Sequence, residues 1–185
     1  MPIETRSRLA FVEGLIRKIA ESLVPLVDRD LHVGAITCDV ATRRPAGKGC
    51  IHVSFKLGFT IDGTTSHGCV LVPLPDAIAL GGYLMMMSDA VVKEHRGDSD
   101  LDAAMKDAML ELGNFIAGAV DDVMRSYVPG ASVRPEGCQG VRPDVRPALE
   151  YVEGDELVVG RAVVRLARYS ESELIVVLPL IPGLE

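Results

Sequence analysis

Four positions on one stretch of chain have the types and spacing for polar recognition: Asp107, Glu111, Asn114 and Gly118. At ~100° per residue they gather within ~60° of one another on a helical wheel. Carboxylates accept hydrogen bonds, and an amide both donates and accepts. No His or Cys sits among them, so the row has no obvious base or thiol nucleophile. Any amphipathic helix has a solvated face, and polarity alone would make this one ordinary. Two residues argue otherwise. Asn and Gly are poor helix formers, with Gly costing ~1 kcal/mol relative to Ala. A surface helix built only for stability would carry Glu, Lys or Ala at positions 114 and 118. Gly118, with Gly113 beside the row, is expected to clear bulk around Asn114 and let another backbone approach. Residues 98–122 hold seven acids and one base, Lys106. The early acids suit the positive end of the helix dipole; Asp121 and Asp122, nearer the other end, do not. A face that is locally costly is a candidate interaction site.

The helix that must carry this row is predicted over 98–127. Its core face is expected to gather Leu101, Met105, Ala108, Leu112, Phe115 and Ile116, continuing to Ala119, Val123 and Tyr127. Ser99 with Asp102 reads as a capping pair, and Pro129-Gly130 stops the helix. Arg125 continues the polar row.

Around it, residues 5–27 read as a first helix, with Pro25 expected to kink or end it. Residues 31–40 read as a strand, and 42–49 as a loop rich in Arg, Pro and Gly. Ile51–Leu57 alternates as a strand, Asp62-Gly63 marks a turn, and Cys69–Leu74 returns. A second helix is predicted from Pro75-Asp76 to about Val92, buried on most sides, with Met85, Met86 and Met87 filling gaps. After the long helix come a short strand near 131–134, a second Arg/Pro/Gly loop over 135–147, and a closing hairpin of 157–168 with 172–180. The expected fold class is α+β: a largely antiparallel sheet with long helices packed on it. The 185 residues read as one domain over 1–185, with pseudo-repeats at about 5–92 and 98–182.

Composition narrows the function. The net charge of −7 argues against nucleic acid, since the nearest basic cluster, Arg134, Arg142 and Arg146, is interrupted by Glu136 and Asp144. Apolar runs are too short for a membrane span. Met1 is followed by Pro2, Glu4 and Arg6 rather than a signal segment, so the expected location is the cytoplasm. Cys38, Cys50, Cys69 and Cys138 form no C-x-x-C pair; the first three are expected as reduced core residues rather than zinc ligands. His52 and His67 lie near Ser54, Thr65 and Ser66, but no acid completes a triad, and they read as ordinary strand and turn residues. Gly47-Lys48-Gly49 lacks the frame of a phosphate loop.

Asp107-Ala108-Met109-Leu110-Glu111-Leu112-Gly113-Asn114 resembles the D/S-x-x-x-E-x-x-N signature of the CheC/CheX/FliY chemotaxis phosphatases, and Phe115-Ile116-Ala117-Gly118 is similar to the continuation common there. The order of elements is similar over most of the chain. The proline that follows the Asn comes sooner here, at Pro129 or Pro135. The first helix has Glu13-Gly14-Leu15-Ile16, with no Asn at the matching place. The motif thus occurs once, as in the CheX type.

The resemblance implies a phosphatase acting on the aspartyl phosphate of a CheY-like response-regulator receiver domain. It implies no cofactor of the chain's own; Mg²⁺ would sit in the partner receiver. Asn114 would orient the attacking water, and Glu111 would pair with the receiver's active-site Lys. Gly118 would let the helix approach, and Asp107 would tune the edge of the site. CheX-like proteins dimerise, which implies a possible homodimer through sheet edges. The competing expectation is a non-catalytic adaptor of the CheC or FliM kind, binding a regulator or motility component.

Overall fold

The computed structural model describes residues 7–184. The apolar repeat of the first segment produces α1 (Arg8–Val27), capped by Ser7, whose hydroxyl accepts the Ala10 amide. The expected start at residues 5 and 6 lies outside the described residues. Pro25 falls in the last turn, and the helix runs on to Val27 before Asp28 adopts a left-handed φ of 49°. Strands β1 (Leu31–Ala41), β2 (His52–Ile61) and β3 (Thr64–Pro73) follow. The β2–β3 hairpin closes over Asp62 and Gly63, both at positive φ, the conformation a two-residue primed turn requires.

The second predicted helix is two. α2 (Leu74–Leu84) ends, Met86 takes a φ of 61°, and Ser88 caps α3 (Asp89–His95). Met86 is 92% exposed, whereas Met85 and Met87 pack on the core, so only part of the methionine run fills gaps. After α4 (Ala103–Tyr127) the expected short strand is β4 (Ser132–Val141), which runs through most of the supposed loop. Pro135 sits opposite Leu57 where the register shifts, and Gly137 has a φ of 88°. An edge strand tolerates both. β5 (Leu157–Leu166) and β6 (Ser172–Pro179) form the predicted hairpin.

All strand pairings are antiparallel, in the order β1-β5-β6-β3-β2-β4. The architecture is the α+β class the sequence indicates. Exchanging the first three strands with the last three returns the same order, read from the opposite edge. The alternation of side chains across the sheet separates two apolar layers. Val70, Val72, Val158, Val176 and Leu178 face the helices in the main core. Cys69, Leu71, Leu157, Val159, Ile175 and Val177 face the other way, under Leu149 and Tyr151 of the β4–β5 connection. On the helical side the start of α1 meets the end of α4, with the Phe11 and Tyr127 rings edge-on at 4.9 Å. α1 lies so close to β5 that a Cβ on Gly160 would overlap Val12.

Candidate functional site on the long helix

α4 opens on Asp102, whose carboxylate accepts the Met105 amide at 2.8 Å. Ser99, expected to share the cap, lies ahead of the helix. Leu112 and Ile116 are fully buried, together with Met109, Val120 and Met124. They lock the rotation of the helix and so fix the direction of the residues between them. Phe115, expected on the core face, is 37% exposed; Met109, Val120 and Met124 take the buried places instead. The apolar stripe is thus rotated slightly from the one the wheel drew.

The predicted row is brought together on the solvent side: Asp107, Glu111, Asn114 and Gly118 are all exposed. The Asn114 Nδ2 amide lies 3.5 Å from Glu111 Oε2, a long hydrogen bond. That contact leaves the amide oxygen and most of the carboxylate's acceptor capacity for an incoming group. Asp107 has no hydrogen-bond or ion-pair partner among the described residues. Leu110, 48% exposed, and Phe115 flank the polar row with apolar surface. Beside Leu110 runs a groove of about 420 Å³ between α4, the β2–β4 pair and the 99–101 segment, with Cys138, Gln139 and Gly140 on its far wall. A larger hollow, about 740 Å³, lies between the β2–β3 turn and residues 150–157, and none of the four row residues lines it.

The two glycines differ in what they do. A Cβ at Gly118 would meet nothing within 4 Å, so no internal packing requires glycine there. Gly113 is buried against the sheet, where a Cβ would make an ordinary 3.4 Å contact with Phe55 Cδ1, so it does not clear space around Asn114 as expected. The late acids also have internal duties. Asp121 accepts the Val133 amide at 2.7 Å and pairs with Arg125 at 2.8 Å; Asp122 pairs with Lys18 of α1 at 3.5 Å. Sequence reasoning counted them as evidence for an interaction site, but their partners lie on the fold itself.

The weaker constellations resolve into structure. His52 is buried in β2, its Nδ1 2.9 Å from the Cys50 carbonyl. His67, in β3 rather than a turn, lies between Glu136 at 2.9 Å and Glu150 at 3.5 Å. All four cysteines are free; Cys69 is buried, while Cys38, Cys50 and Cys138 are half-buried and Cys50 precedes its strand. Burial pushes the Cys69 thiol up to about 11. Among the described residues no three His, Cys, Asp or Glu side chains converge as metal ligands, and no helix is long and apolar enough to cross a membrane.

No protein-family model and no curated protein sequence matches the chain. Solved structures do. FliY of Thermotoga maritima superposes with a TM-score of 0.67 at 13% identity, over 92% of this chain and 87% of that one. The chemotaxis protein CheX of Desulfovibrio desulfuricans gives 0.57 at 14%, over 93% and 99%. The FliM middle domain of H. pylori gives 0.62 at 7%, over 92% and 88%. At these identities the agreement is one of architecture, and it runs nearly end to end: the chain has the fold of the chemotaxis proteins FliY and CheX and of FliM.

Proposed function

We propose that the chain docks a phosphorylated CheY-like receiver domain through α4 and hydrolyses its aspartyl phosphate. The observation that carries this reading is the Glu111/Asn114 pair, exposed on a helix whose rotation is locked by Leu112 and Ile116 and next to open surface at Gly118. An acyl phosphate is already labile. Water attacks phosphorus in line, the bond to the aspartyl oxygen breaks, and inorganic phosphate and a free carboxylate result. Little is asked of this chain beyond positioning. Asn114 orients the water, and Glu111 holds the receiver's lysine and with it the docked geometry. Asp107 borders the contact, and Gly118 keeps bulk out of it. Mg²⁺ belongs to the receiver and supplies charge neutralisation there. The likeness of fold to chemotaxis proteins supports a chemotaxis-related setting for this reaction.

A second reading, an adaptor that binds without hydrolysis, is favoured by Leu110 and Phe115, which give the same face an apolar docking rim. In a homodimer, the open edges of β1 and β4 are where a second copy would pair.

Phosphate release from a Mg²⁺-loaded, phosphorylated receiver of the same organism separates the readings. Acceleration by the wild type that Asn114→Ala removes supports the phosphatase. Binding of the receiver without acceleration supports the adaptor. Neither binding nor acceleration with the organism's receivers overturns both.

A further inference from the structure

The two Arg/Pro/Gly segments lie a hundred residues apart in sequence and side by side in the fold. The Asp144 amide donates to the Gly47 carbonyl at 2.9 Å, and Arg44 Nη1 donates to the Pro147 carbonyl at 2.7 Å. Each segment belongs to a connection that leaves an edge strand and passes to the far half of the sheet: β1 to β2, and β4 to β5. Residues 42–49 and 142–149 together carry five cations, Arg43, Arg44, Lys48, Arg142 and Arg146, against one carboxylate, Asp144. That is +4 within a chain of −7.

What sets these cations apart is that five of them share two adjoining loops; among the described residues, single cations elsewhere, such as Lys56, Lys106 and Arg165, also lack an ion pair. Lys18, Arg29, Arg96, Arg125 and Arg161 each sit on a carboxylate. Among the described residues, none of the five loop cations does. Arg44 stacks on Tyr151 with its guanidinium carbon 5.3 Å from the ring centre, and its Nε is buried without a hydrogen-bond partner. The other four are exposed, and Val145 stands exposed among them. Three prolines, Pro45, Pro143 and Pro147, stiffen the pair, so little entropy is lost when a ligand settles on it.

We propose that this paired-loop surface docks an acidic, extended protein segment that alternates carboxylates with apolar side chains. Four of the five cations are arginines, whose planar fork matches a carboxylate with two parallel hydrogen bonds. A short segment feels mainly charges within ~8–10 Å, and the two loops set five cations there against Asp144 and the neighbouring Glu150. A bilayer or a long nucleic acid would instead bring its charge against the acidic remainder of the chain. The surface is built from segments outside α4 and does not depend on the phosphatase reading.

The test is an NMR titration of the ¹⁵N-labelled protein with a synthetic peptide of alternating Glu and Leu. Shifts confined to 42–49 and 142–147, fading as ionic strength rises from about 0.05 to 0.5 M, are expected. The double variant Arg142→Glu/Arg146→Glu should weaken binding by about tenfold or more. Arg43→Glu/Lys48→Glu on the other loop should do the same, and Asn114→Ala should leave binding unchanged. No loop shifts, equal binding of a Lys/Leu peptide, or tighter binding to phosphatidylserine vesicles or oligothymidine would each overturn the proposal.

Discussion

Asp121 of the long helix accepts the backbone amide of Val133 on the edge strand at 2.7 Å, and so ties the site-bearing helix to the sheet margin. Val133 is buried, so its N–H has no ready substitute partner. Asp121→Ala should therefore destabilise the fold by ~1–3 kcal/mol, the cost of a buried donor left unmade. Chemical denaturation checks this as a lower midpoint at unchanged slope. A variant as stable as wild type would mean that the amide is satisfied some other way.

Gly118→Leu is expected to separate stability from function. With nothing within 4 Å of its Cβ the new side chain fits, and a helix interior gains up to ~1 kcal/mol when glycine is replaced. The melting temperature should hold or rise while receiver-dependent phosphate release falls about tenfold or more. Unchanged turnover would remove Gly118 from the docking surface.

Arg96 closes a half-buried cluster. Its Nη2 lies 2.6 Å from Asp76 Oδ1, its guanidinium stacks 3.6 Å over Tyr169, and Ser172 donates to the same carboxylate. Asp76 is only 6% exposed. Arg96→Met strands that charge and should cost about 3 kcal/mol; Asp76→Asn in the same background should recover part of it. The two denaturation midpoints in that order would establish the cluster as a structural latch, and the reverse order would refute it.

His95 Nδ1 donates to Asp98 Oδ2 at 2.8 Å, and that hydrogen bond raises its pKa above the ordinary 6.5. A raised folded value means the pair stabilises fully below the unfolded value and fades as pH climbs through the folded one. The His95 ring proton should titrate above 6.5 by NMR, and Asp98→Asn should lower its midpoint. A wild-type midpoint at or below 6.5 would show that the pair is open in solution.

Much of the fold was legible because strong periodicity leaves little choice. The repeat through Val12, Ile16 and Ile19 and that through Met105, Leu112 and Ile116 could only be amphipathic helices. The break at Met86 was hidden, since Leu84 to Met87 is apolar throughout and the turn depends on one left-handed residue. The sequence shows the start of β4 near 131–134 but reads as loop from Pro135 on, because Pro135 and Gly137 argue against a strand; the place of β4 on the sheet edge, which makes both acceptable, is a tertiary fact. The row Asp107, Glu111, Asn114 and Gly118 was visible because one helix carries it whole. The paired basic loops were not, because no local pattern joins Gly47 to Asp144.

The strand order has a consequence for assembly of the chain. β1 borders β5, and β4 borders β2, so each half surrenders its first strand to the hairpin of the other. The halves are interlocked like clasped hands, and neither completes its own sheet. Folding must bring distant segments together before either sheet edge gains a neighbour, which favours slow, all-or-none acquisition of structure. It also means that a cut in the exposed 97–100 connection should yield two fragments that stay associated and keep the sheet, each fragment being the other's missing strand.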